Sequence, residues 1–273
     1  MHWTDNAIIL SARKHGETSA VGRVFSEQHG VYGGVIRGVH SKTNRGIIQS
    51  GNVVNATWNA RLSEQLGSLK CELLEANAAQ IMQDSARLSA LTSACALIES
   101  ALPERHPYPR IYGIFHAFLT LLTHDIPWQE AYALFELELL ADTGFGLDLS
   151  SCAATGKTEE LIYVSPKSGR AVCREAGEPY RERLLALPGF LKPPSLTLPR
   201  IVAGEGEEIP SPVLYGGGGG RGAALQETLA GLRLTGYFLD HWLLGPHNRK
   251  LPAARGRLIQ TLQKTKAPHA TEV

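Results

Sequence analysis

No run in this 273-residue chain approaches the about 20 consecutive apolar residues that a membrane-spanning helix needs, so no membrane partner is expected. Met1 to Asn6 shows no basic region leading into an apolar core, so the start does not read as a secretory signal. Cysteine is scarce: the four, at 71, 95, 152 and 173, stand far apart and exclude a disulfide framework. That usage fits a reducing cytoplasm. The chain also lacks the usual marks of catalysis. It has no nucleophile elbow, no helix with two metal-binding histidines and no paired glycines ahead of a phosphate-binding helix. Asp240 and His241 are adjacent, but neighbours on a helix do not face each other. No enzyme activity is expected. The most informative absence is of carboxylates: none lies between Gln28 and Ser63, and none between His241 and Lys266.

What is present is a soluble-type composition with segregated charge. Hydrophobic residues make up 43% and charged residues 19%, with a formal net charge of +1. Residues 1–71 hold eight Lys/Arg against four Asp/Glu, residues 72–160 four against thirteen, and residues 221–273 eight against three. Two basic ends flank an acidic middle. Such asymmetry speaks to partners, not to fold.

The pattern predicts an α+β chain. Asn6–Ala12, Ala20–Phe25, Val31–Val39, Val53–Trp58 and Gly67–Glu75 read as five short strands joined by Gly/Asn/Ser turns. Such a set suggests a small barrel of the five-stranded oligonucleotide-binding (OB) type over residues 1–76. Its centre, Gly33 to Gly46, reads as a flexible basic hairpin. Helical spacing follows over 77–146, where Pro127 fits a first helical position and Gly144 a cap, and resumes over 221–266, giving a central helical bundle with C-terminal helices. Between them, 147–187 forms a separate module with a hairpin (Leu161–Val164 and Arg170–Cys173) and a short helix near Tyr180–Leu187. Residues 188–220, rich in proline and ending in Gly216 to Gly220, read as a linker or insertion.

Two motifs invite chemistry. Thr155-Gly156-Lys157-Thr158 ends like a phosphate-binding loop, but Ser151 stands where the motif needs glycine, and a strand rather than a helix follows. Cys152 and Cys173 flank the hairpin as zinc-ribbon ligands would, but Thr155 and Ala176 leave each pair incomplete, so no metal is expected.

The basic set is the stronger signal. Arg13 and Lys14 end the first strand and Arg23 lies in the second. Arg37, His40, Ser41, Lys42 and Arg45 occupy the central segment. Cations at a barrel face and its loops release counterions from a phosphate backbone without reading sequence. Tyr32 and Trp58 could stack bases, although core positions suit them better. A second cationic run, Arg249, Lys250, Arg255 and Arg257, could extend a DNA surface or hold an acidic partner tail. The rival readings are a protein adaptor that binds no DNA and a nucleotide-dependent enzyme.

Several segments resemble the RecO family of bacterial recombination mediators. They are Ala7-Ile8-Ile9-Leu10 with Arg13, Gly16-Glu17, His29-Gly30 and Gly38; Thr143 to Leu149; Tyr163 to Val172; and Leu232 to Leu239 with Leu251 to Arg255. The resemblance implies an OB-type barrel, a helical domain and a zinc-ribbon-like insert, here degenerate at Cys152 and Cys173. It implies binding and annealing of single- and double-stranded DNA, without a cofactor. It also implies work with RecR and with the acidic C-terminal tail of the single-stranded-DNA-binding protein to promote RecA loading, in the cytoplasm at the nucleoid.

Overall fold

The first five strands form one closed sheet. In the computed structural model, which describes residues 1–39, 41–62, 65–124, 126–192 and 221–264, these are β1 (His2–His15), β2 (Ser19–Ser26), β3 (Gly30–Arg37), β4 (Val53–Asn59) and β5 (Ser68–Glu75). Their order is β1-β2-β3-β5-β4, and the ends join because β1 pairs antiparallel with both β2 and β4. β3 meets β5 through a parallel bridge, Val35 to Ser68. Ala7, Ile9, Ala20, Val24, Ile36, Val54, Ala56, Trp58 and Leu69 fill the interior. So small a barrel needs gaps in its lining. Gly22 and Gly34 face each other across β2 and β3. A Cβ on Gly22 would come within 2.4 Å of Ile36 Cδ1, and one on Gly34 within 2.7 Å of Leu69 Cβ.

The expected flexible hairpin at Gly33–Gly46 is not there. β3 and β4 are not neighbours in the sheet. The chain between them forms a short helix, α1 (Lys42–Ile47), with Ser41 as its N-cap. A hydroxyl at the cap satisfies an orphan helical amide, which favours the turn over an extended loop.

Helices α2 (Asn77–Ile81), α3 (Ser85–Ala101) and α4 (Pro109–Thr123) follow. The helical spacing from residue 77 is interrupted because the Asp84 carboxylate accepts from the amides of Ala86 and Arg87, starting α3 afresh. These helices group with the barrel, together with residues 252–261 of the last helix, α8 (Ala253–Lys264). The outer face of the sheet is partly covered: Phe25 and Val31 are fully buried, and Phe25 meets Tyr112 edge-on at 5.6 Å.

The second compact unit begins at Pro127 and runs to Leu251. The division therefore falls inside the helical stretch 77–146. α5 (Gln129–Leu140) opens the unit and ends in a wide turn where Gly144 takes φ +90°. A three-stranded sheet follows, β6 (Leu161–Val164), β7 (Ala171–Cys173) and β8 (Leu185–Ala186), in the order β7-β6-β8. The helix α6 (Arg174–Gly177) separates β7 from β8. Instead of a short helix at 180–187 there is a 3-10 turn, Glu178–Arg183, and then β8. α7 (Arg221–Phe238) packs on α5, where the Thr235 hydroxyl donates to the buried carboxylate of Glu136. Of the expected linker, Gly189–Leu191 forms a 3-10 turn with Leu191 buried, and 193–220 lie outside the described residues.

Candidate nucleic-acid interface

Directly paired residues on neighbouring strands project to the same side of a sheet. One row runs Arg13–Val21–Val35 and the next His15–Ser19–Arg37. The Ala12–Gly22–Gly34 row between Ser11 and Arg13 faces inward, so Arg13, His15 and Arg37 stand on the outer face at one end of the barrel. Lys14 pairs with Ala20, in the inward register, but lies at the rim and is exposed. Arg13 and Arg37 are exposed as well.

α1 is fixed to this end. The Asn44 amide Nδ2 donates to the carbonyls of Arg37 (3.3 Å) and Gly38 (3.0 Å), while Ser41 Oγ accepts from the Asn44 amide at 3.1 Å. At the other terminus of α1, the buried Asn52 donates to the carbonyls of Gly46 (2.8 Å) and Ile47 (3.1 Å) and accepts from the Ala78 amide. Arg45 is thus carried on a clamped element in its last turn, and it is exposed. Lys42 opens the same helix, and His40 lies outside the described residues. A cavity of about 490 Å³ beside α1 is lined by Arg37, Asn44, Ile47, Ile48, Lys70 and Cys71, among others. Burial pushes the Cys71 thiol up to about 12, so it remains protonated and inert.

The structure therefore brings Arg13, Lys14, Arg37 and, on α1, Arg45 to this end of the barrel. Arg23 lies apart from them. Its guanidinium is 2.7 Å from Glu104 and 3.9 Å from Glu99, with the side chain 28% exposed. Trp58 is 1% exposed and its indole donates to the carbonyls of Gly33 and Leu66, so it belongs to the core. Tyr32 is half-buried. In the C-terminal run Arg249, Lys250 and Arg257 are exposed, but Arg255 is 5% exposed and cannot contribute to a surface. Apolar helix faces draw in the stem of an arginine as readily as a surface position displays it, and the sequence alone does not distinguish the two. The residues that sequence reasoning missed are His15, Asn44 and Asn52. The Ser-x-x-Asn spacing of Ser41 and Asn44 was the available signal for a capped turn.

The two motifs resolve into turns. In 153–158, Gly156 takes φ +72° and Lys157 pairs with Glu175 at 2.7 Å, and the strand β6 follows, not a helix. Cys152 and Cys173 are both buried, and the Cys173 amide donates to Cys152 Sγ at 3.3 Å. Burial pushes the Cys152 thiol up. The Cys173 amide, the Thr155 hydroxyl and the Ala154 and Thr155 amides outweigh it and bring it down to about 6. Among the described residues no group of three or more His, Cys, Asp or Glu could hold a metal ion.

Comparison with known proteins decides the family. Residues 1–77 match the family described as Recombination protein O N terminal, and residues 82–204 match Recombination protein O C terminal. The chain belongs to the RecO family. It is 45% identical to the DNA repair protein RecO of Rhodospirillum centenum over 266 residues, which is 97% of this chain and 96% of that one. It is 42% identical to the DNA repair protein RecO of Rhodospirillum rubrum over 98% of both chains. The RecO protein of Phenylobacterium zucineum is also 42% identical, over 97% of this chain and 98% of its own. Among the described residues no helix is long and apolar enough to cross a membrane.

Proposed function

We propose that this RecO family protein acts in DNA repair and recombination by binding DNA through its barrel and annealing complementary strands. The observation that carries the reading is the set of exposed cations Arg13, Lys14, Arg37 and Arg45 at one barrel end, of which Arg37 and Arg45 lie in the segment with no carboxylate from Gln28 to Ser63. The five-stranded closed sheet supports assignment to the OB type, in which one strand face and its flanking loops hold a nucleic-acid chain. Cations held here reduce the repulsion between two phosphate backbones, and base pairing supplies the rest. The work is done by binding, with no catalytic step and no cofactor.

The family further suggests a division of labour. RecR and the acidic tail of the single-stranded-DNA-binding protein are the partners, RecA loading is the outcome, and the cytoplasmic nucleoid is the site. Exposed Arg257, in a stretch without carboxylates, suits an acidic tail. Titrating single- and double-stranded DNA at two salt concentrations tests the reading. Binding that weakens steeply with salt is expected, and an absence of any DNA complex would favour a protein adaptor.

A further inference from the structure

The opposite end of the barrel carries aromatic rings where the basic end carries cations. Trp58 sits inside the barrel. Trp3 stacks on it at 6.2 Å with an interplanar angle of 15°, and His29 stacks on Trp3 at 4.7 Å and 23°. These contacts form a column running from the buried indole of Trp58 to His29, which is half-buried in the β2–β3 turn. Tyr32 flanks the column edge-on, 5.1 Å from Trp3 and 5.2 Å from Trp58. The Arg105 guanidinium lies 5.6 Å from the Tyr32 ring centre. Among the described residues Trp3 Nε1 has no hydrogen-bond partner, and the indole is held by packing against the barrel core and by its ring contacts.

The placement of Arg105 is strained and over-determined. It is a non-glycine residue at φ +62°. Its amide donates to the Val31 carbonyl at 3.0 Å and its Nη2 to the Gln65 carbonyl at 3.3 Å. Gly30, at φ +77°, lets the same segment approach: a Cβ there would lie 1.9 Å from the His106 carbonyl oxygen. A backbone held in a sparsely populated conformation beside half-exposed rings is the arrangement in which strain accompanies a binding role.

We propose that His29, backed by Trp3 and flanked by Tyr32, whose ring has Arg105 beside it, is a stacking site for an unpaired nucleobase of single-stranded DNA. The proposal rests on the DNA-binding reading above and adds a second contact that recognises bases, at the barrel end away from Arg37. An aromatic ring with a cation beside it offers a face to any base, so the site discriminates unpaired from paired bases without reading sequence. Stacking of one base contributes between about 5- and 160-fold in affinity.

The test titrates the full-length protein with a single-stranded oligonucleotide and with one of equal length and charge whose bases are replaced by abasic sites, at one salt concentration. The wild-type protein should prefer the base-bearing strand by at least about 5-fold. His29→Ala and Arg105→Ala should bind both strands as the wild type binds the abasic one, and His29→Tyr should keep the preference. Equal wild-type affinity for both strands would overturn the stacking site while leaving the phosphate contacts standing. A preference that survives both alanine substitutions would also overturn it. Binding to neither strand would overturn the DNA-binding reading as a whole.

Discussion

Arg23 Nη1 lies 2.7 Å from Oε1 of Glu104, and this ion pair ties the second strand of the barrel to the segment after α3. Ser11 joins the same junction by donating its hydroxyl to Glu99, while Val31 bridges to Glu104 through the backbone. Arg23 is therefore an internal fastening, unlike the four exposed cations at the barrel end. A partly exposed pair of this kind contributes at most about 1 kcal/mol. Arg23→Gln should lower stability in urea by about that amount and leave DNA affinity within about twofold of wild type. A tenfold loss of affinity with an unchanged melt would return Arg23 to the binding surface.

Asn52 is a stronger structural bet. Its side chain satisfies the last carbonyls of α1 on one side and the Ala78 amide on the other. Asn52→Ala leaves buried polar groups without partners, at about 1 to 3 kcal/mol. Because the same amide holds α1 in place, DNA affinity should also fall and become less steep with salt. A urea midpoint equal to wild type would contradict the clamp.

How far the sequence carried these conclusions differs by element. The first strand is legible as a continuous apolar run, since Ala7 to Leu10 are all buried, and the alternation of Gly67–Glu75 falls within one residue of β5. The segment after β3 was not. A run of polar and basic residues reads as loop, whereas Ser41, Asn44 and Asn52 supply five side-chain bonds that hold it as a helix. Pairing partners were equally hidden: Arg23 and Glu104 are 81 residues apart, and no local pattern announces such a contact. Arg255 shows the same limit, since its helix looks basic along its length yet buries that side chain.

The Cys152 sulfur makes a pH-dependent prediction. Its folded value of about 6 lies below the ordinary 9.0, because amide and hydroxyl donors favour the thiolate despite burial. A depressed acid stabilises the fold above its unfolded value, and that contribution is lost as pH falls through the folded value. Wild-type stability should therefore decline from about pH 9 toward pH 6 relative to Cys152→Ser. Thiolate absorbance should appear near pH 6 and vanish in the variant. Parallel stability profiles for the two proteins would contradict the donor cradle.

In the proposed function, exposed cations at one barrel end neutralise DNA phosphates. The most direct test is the slope of log affinity against log salt for single-stranded DNA, measured for wild type and for Arg13→Glu/Arg37→Glu. If each cation meets one phosphate, the double variant should bind all sequences more weakly, with a slope shallower by about 1.4. Identical slopes and affinities in the two proteins would contradict the account.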